Sequence, residues 1–130
     1  MKPSPVHTPG APEAIGPYAQ GVVANGFLFT AGQIALDPAT MKVVDGDVSA
    51  QAEQVFRNLG AVIGTVSATW DDVVKATVFL RTMDDFPKVN EVYARVMGTA
   101  RPARSTVAVA GLPRDVSVEI ELVVAVPTPR

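Results

Sequence analysis

A polypeptide with no cysteine and a single histidine has few routes to covalent chemistry, and this one must rely on arginine, carboxylates, hydroxyls and backbone groups. The missing cysteines exclude disulfides, thiolate zinc sites, iron–sulfur clusters and cysteine nucleophiles. The one histidine, His7, lies in a proline-rich start, which leaves neither a Ser-His-Asp arrangement nor a histidine metal site to build. Among what remains, Arg104 stands out. It opens an extended run directly after a loop, and no Asp or Glu between Arg95 and Arg114 neutralises it from nearby sequence. A guanidinium fork grips a carboxylate bidentately, and each charged hydrogen bond contributes roughly 1.5–3 kcal/mol. The alternative is a solvated or distantly paired arginine.

Glu119 and Glu121 form the second feature. In a strand they share one face, flanked by residues of buried type, so each needs a partner, a hydrogen bond or a proton. One reading is an edge strand with a wet face; the other has one of the two holding a water or moving a proton near the arginine. Tyr18 follows Gly16-Pro17, a rigid turn that aims its ring. Gly32, between Ala31 and Gln33, either lets a ligand approach the backbone or marks a β-bulge. Arg95, Arg101, Arg104 and Arg114 line an acid-free stretch able to touch phosphates, but no aromatics interleave with them, and a solvated rim is the simpler account.

These residues need elements to carry them. Two extended runs, Tyr18–Ala24 and Phe27–Gln33, flank Asn25-Gly26, a strong hairpin signal because both turn positions require positive φ. Asp37-Pro38 and Asp45-Gly46 mark turns. Asp47 caps a predicted helix whose buried stripe is Val48, Ala52, Val55, Phe56, Leu59, Val62, Ile63 and Val66. Gly60 and Gly64 each cost up to ~1 kcal/mol there relative to Ala, a loss that close packing on a sheet would offset. Thr69–Asp72 resembles a capping box on one turn and leads into a strand, Val73–Arg81. Asp84, Asp85 and Pro87 open a second helix with core positions Phe86, Val89, Tyr93, Val96 and Met97, ending at Gly98. Strands over Ala103–Ala110 and Val116–Val126 complete the pattern, with Val116, Val118, Ile120, Leu122, Val124 and Val126 on one face of the last.

The order ββ-α-β-α-ββ is that of an α+β two-layer sandwich, with a βαβ crossover over residues 73–110. Two helices cover only one face of such a sheet, yet Val107, Val109, Val123 and Ala125 give the other face an apolar character. Identical subunits are the expected cover, with loops of a monomer as the alternative. Apolar residues make up 48% of the 130 and charged residues only 18%, which excludes disorder and fits extra buried surface. The net charge of −2 provides no basic field for nucleic acid or anionic membrane. Prolines at 3, 5, 9, 12 and 17 interrupt any apolar leader, and the uncharged stretch Ala14–Leu36 is broken by glycines and a proline, so it reads as strands and turns. Residues 1–130 are expected to form one cytoplasmic domain, with 1–13 an extended, fraying segment.

The blocks Ile15–Gly21, Thr30–Ile34, Val89–Tyr93, Arg101–Ser105, Leu112–Asp115 and Val118–Glu121, in this order and spacing, resemble the YjgF/RidA family of enamine and imine deaminases, also called L-PSP-type proteins. The likeness runs from about Ala14 to Val126. It implies a chorismate-mutase-like α+β subunit, a homotrimer, ligand clefts between subunits and no cofactor. Carried over block by block, it implies that Arg104 binds a substrate carboxylate and Glu119 the catalytic water. Tyr18, Asn90 and the Gly32 backbone would line the cleft. Three features depart from the family: Ala31 stands where serine is frequent, Thr106 where cysteine is frequent, and the segment from Tyr93 to Arg104 is short.

The reaction so implied is hydrolysis of 2-aminoacrylate-type enamines, through their imines, to 2-oxo acids and ammonia. Neither metal nor covalent nucleophile is required, because these intermediates already react with water. Arg104 would fix the carboxylate and orient the imine, and Glu119 would pass protons as water adds to C2. The rivals are an RNA-binding protein or ribonuclease, opposed by the negative net charge and the lack of a histidine pair, and a non-catalytic module that binds 2-oxo acids.

Overall fold

A computed structural model describes residues 2–128. Eight elements follow in chain order: β1 (Ser4–Val6), β2 (Gly21–Ala24), β3 (Phe27–Thr30), α1 (Val48–Gly64), β4 (Val73–Leu80), α2 (Phe86–Met97), β5 (Ala103–Ala108) and β6 (Val118–Ala125). The six strands form one mixed sheet in the order β1-β2-β3-β6-β4-β5, in which only β4 and β5 run parallel. The expected α+β class, hairpin, both helices and the parallel pair across α2 are all present.

Local chemistry explains the elements. Asn25 and Gly26 take φ of 52° and 83°, as the two-residue turn between β2 and β3 demands. Asp47 caps α1 by accepting a hydrogen bond from the Ala50 N–H at 3.1 Å. Gly98, at φ 61°, ends α2. In β6 the alternation is strict: Val118, Ile120, Leu122 and Val124 are buried, and the residues between them are not. Both helices cover that buried face, where Phe56 of α1 meets Tyr93 of α2 edge-to-face at 5.9 Å.

Four expectations need correction. The proline-rich start contains β1, an added edge strand on β2; Pro5 is tolerated because an edge residue need not donate to the ladder. Glu119 and Glu121 lie on β6, which is interior to the sheet, so the edge-strand reading fails. Several elements are shorter than expected: β2 begins at Gly21, β3 stops at Thr30, β5 stops at Ala108 and β6 begins at Val118, after a 3-10 turn over Pro113–Asp115. The helix glycines do not approach the sheet, since a Cβ at Gly60 would sit 3.4 Å from the Trp70 ring and one at Gly64 would meet nothing within 4 Å.

The second face of the sheet is left bare. Phe27, Phe29 and Val107 are exposed there, at 39%, 46% and 43% of their surface. Among the described residues, no helix is long and apolar enough to cross a membrane.

Candidate functional site

Sheet register divides the sequence-selected residues between two places. Arg104 pairs with Ala76, a core residue, so its side chain leaves β5 on the helix side. Glu119 pairs with Phe79 and alternates with buried Ile120, so it leaves β6 on the opposite side. One chain therefore does not bring the guanidinium and the carboxylate together.

On the helix side, the Arg104 Nη1–H donates to Asn90 Oδ1 at 2.7 Å. The guanidinium lies 4.6 Å from the centre of the Tyr93 ring and 5.4 Å from that of Phe86, a cation–π seat supplied by α2. Because Tyr93 packs in turn on Phe56, the core fixes the platform under the charge. No carboxylate lies within ion-pairing distance of Arg104 among the described residues. A pocket of about 420 Å³ opens here, lined by Asn90, Tyr93, Arg101 and Arg104 among others. The Tyr93 hydroxyl is buried without a partner, and burial raises its pKa while the Arg104 and Arg101 charges pull it down. Thr106, two residues beyond Arg104 on the same face, also has a buried hydroxyl with no partner.

On the other side, β3 departs from β6 through a bulge. Phe29 pairs with Val123 and Gln33 with Ile120, so residues 30–32 oppose only 121–122. The Leu122 N–H then donates to Thr30 Oγ1 at 2.9 Å in place of a strand carbonyl. A Cβ on Gly32 would collide with Glu119 Oε2 and lie 2.9 Å from its Cδ. Gly32 is thus both the bulge glycine and the space into which the carboxylate folds. The cavity beside it holds about 560 Å³ and is lined by Tyr18, Ala31, Gly32, Gln33, Arg114 and Glu119 among others. Glu119 has no hydrogen-bond or ion-pair partner among the described residues. Burial raises its pKa, and the negative charge of Glu121 adds to the effect.

Buried amides that the sequence reading passed over hold this wall. Gln20 Nε2 donates to the carbonyls of Thr8, Ala11 and Pro12 at 3.0, 3.2 and 2.8 Å, and its Oε1 accepts from the Thr8 N–H at 2.7 Å. Asn58 of α1 donates to the Ile34 and Leu36 carbonyls at 3.2 and 2.9 Å, tying the loop after Gly32 to the core. Their sequence signal is a polar residue inside an otherwise apolar helix stripe or strand run. Tyr18 stands at the mouth, where its hydroxyl accepts from the Ile15 N–H at 3.3 Å.

The arginine-rich stretch is not one surface. Arg95 pairs with Glu53 at 2.9 Å, and Arg101 donates to the Gly98 and Ala100 carbonyls at 2.8 Å. Among the described residues, no three His, Asp or Glu side chains gather as a metal centre.

Comparison with known proteins adds independent findings. The family described as Endoribonuclease L-PSP matches residues 8–126. A RutC family protein of Synechocystis sp. is 54% identical over 125 residues, covering 95% of this chain and 96% of that protein. The 2-iminobutanoate/2-iminopropanoate deaminase of Dermatophagoides farinae is 40% identical over 121 residues, covering 93% and 94%. The crystal structure of a candidate endoribonuclease from Thermotoga maritima superposes with a TM-score of 0.93 at 48% identity, over 98% of this chain and all of that one.

Proposed function

Given that the chain belongs to the YjgF/RidA, or Endoribonuclease L-PSP, family, we propose that it hydrolyses 2-imino acids to 2-oxo acids and ammonia in a site shared by two copies of the chain. The carrying observation is the pair of unmatched charges: Arg104 has no carboxylate and Glu119 no cation, each at its own pocket on opposite faces of one sheet. The bare apolar face supports assembly with further copies, a homotrimer in this reading. Across the resulting seam, Arg104 of one copy faces Glu119 of the next.

In this mechanism the substrate carboxylate sits in the Arg104 fork, and Asn90 fixes the angle of the guanidinium. Tyr18, Ala31 and the Gly32 backbone bound the imine, while the Thr106 hydroxyl is a free hydrogen-bonding group on the arginine side. Glu119 accepts a proton from water as the water oxygen bonds to C2 and passes it to the imine nitrogen, giving a carbinolamine. The carboxylate then takes the proton of the new hydroxyl and hands it to nitrogen as the C2–N bond breaks, so ammonia leaves and the 2-oxo acid forms. A carboxyl with a raised pKa suits this exchange, since it gives and takes a proton closer to neutrality than an exposed glutamate does.

The test couples the protein to a threonine dehydratase and follows the released imine by trapping with semicarbazide. Faster imine loss with the wild type, abolished in Arg104→Ala, is the expected result. No acceleration by the wild type, with tight 2-oxobutanoate binding, would assign the chain to ligand binding without catalysis. The family's description as endoribonucleases favours RNA cleavage as a second reading; it requires RNA affinity that falls steeply with salt, and a flat response would remove it.

A further inference from the structure

Resting on the imine-hydrolysis reading, we propose that Arg114 makes this site selective for substrates with a second anionic group, 2-imino and 2-oxo dicarboxylates rather than monocarboxylates. Arg114 is the only cationic side chain among the described residues that line the Glu119 cavity. One of its five N–H donors is spent: Nη1 donates to the Met41 carbonyl at 2.9 Å, which leaves a fork aimed by one bond and able to receive an anion.

The backbone around it is strained in a way that fixes this placement. Met41, Arg114 and Asp115 all take left-handed φ, at 59°, 55° and 56°. For side-chain-bearing residues this conformation is costly and persists only where surroundings enforce it. Two such segments, joined by the Arg114–Met41 bond, form one rim of the cavity. The acids nearby do not cancel the charge. Glu13 hydrogen-bonds His7 at 3.0 Å, and none of Glu13, Glu119 and Asp115 lies within ion-pairing distance of Arg114.

Arg104 already takes the carboxylate next to the imine in the proposed function. A guanidinium on the Glu119 side of the seam then faces the other end of the substrate. A short apolar chain end would leave it unpaired, and a terminal carboxylate would pair with it.

The experiment compares 2-oxobutanoate with 2-oxoglutarate by calorimetry, and the imines released from 2-aminobutanoate and glutamate by amino-acid oxidases with semicarbazide trapping. Wild type is set against Arg114→Asn, which tolerates left-handed φ, and Arg114→Lys, which keeps the charge. The expected result is roughly tenfold or greater preference for the dicarboxylate, lost in Arg114→Asn and partly restored in Arg114→Lys. No wild-type preference, or equal losses for both ligands in Arg114→Asn, overturns the assignment. Selective 2-oxoglutarate binding without turnover of either imine keeps the Arg114 role and sinks the hydrolase reading. Turnover of both imines without preference does the reverse.

Discussion

The two pockets are built in different ways. The Arg104 pocket is made of regular structure: an arginine on β5, an amide and two aromatic rings on α2, and a helix packed on the core behind them. The Glu119 cavity is made of departures from regular structure: a bulge after β3, left-handed residues at 41, 114 and 115, and an N-terminal strap. Binding charge needs a fixed direction, which a helix and a strand supply at little cost. Moving a proton requires a carboxyl withdrawn from water beside open space, and a sheet provides that only where its pairing is interrupted. The difference also shows in what stabilises each wall, aromatic packing in one and buried amide hydrogen bonds in the other.

The largest effect tests whether the pockets belong to one site. If Arg104 holds the substrate carboxylate as proposed, Arg104→Ala removes two charged hydrogen bonds, and kcat/KM for imine hydrolysis should fall by roughly 10²–10⁴. Glu119→Gln removes a proton carrier and should lower kcat by a comparable ~10²–10⁴. Co-expressing the two variants should restore activity, because some seams then carry both intact groups. If the mixture stays as inactive as either variant alone, the pockets act separately and the shared site is wrong.

Next in size is Gly32→Ala, which breaks the second pocket and spares the first. The new Cβ occupies the place of Glu119 Oε2, so the carboxyl must swing away. A fall in kcat of about 10–10²-fold is expected, with 2-oxo acid affinity at Arg104 retained. Gly64→Ala is the matched control, in open space at a helix end, and should gain up to ~1 kcal/mol in urea unfolding. Unchanged kcat in Gly32→Ala would mean that the carboxyl position does not matter.

This contrast also governs what was legible in the sequence. Periodicity revealed α1, α2 and β6, with the buried face of β6, and β-branched content revealed β4, because those signals are local. Arg104 was legible from the acid-free run around it. Its seat on Tyr93 and Phe86 was not, since helical periodicity marks both only as core positions. The bulge at Gly32 was one of two readings, and only pairing with Ile120 reveals that Glu119 folds into it. β1 was hidden because prolines masked a short edge strand. Gln20 and Asn58 were missed because a buried amide's value lies in carbonyls up to 24 residues away, which no local pattern encodes. That Arg104 and Glu119 face opposite ways follows from register, and register is a non-local quantity.

A smaller effect separates the two kinds of wall. Gln20→Leu strips donors from three carbonyls and should cost about 1–3 kcal/mol, with faster hydrogen exchange at Thr8, whose N–H it holds at 2.7 Å. Asn90→Ala leaves Arg104 on its aromatic seat and should change stability by less, at most ~1 kcal/mol, while weakening carboxylate binding. Equal stability losses would show that both walls depend on hydrogen bonds alike.

The smallest expected change is in stability and has the opposite sign to its effect on activity. Burial and Glu121 hold the Glu119 pKa above its ordinary value of 4.5, so at pH values between the unfolded and folded pKa the native state binds more protons than the unfolded chain. Stability then falls as pH rises through that window, and above it the ionised carboxylate is a standing penalty. Glu119→Gln removes the charge and keeps the shape, so its Tm near neutrality should exceed that of the wild type, with the gap closing as the pH drops toward 4.5. Arg104→Ala should show no such pH-dependent gain, because it leaves the Glu119 carboxyl and its burial in place. A group that destabilises the fold when charged, yet whose removal is expected to abolish turnover, is what a stability–activity trade-off predicts for a working carboxyl. If Tm instead falls in Glu119→Gln at every pH, the carboxylate is held by favourable contacts, and the cavity is a structural feature of the bulge.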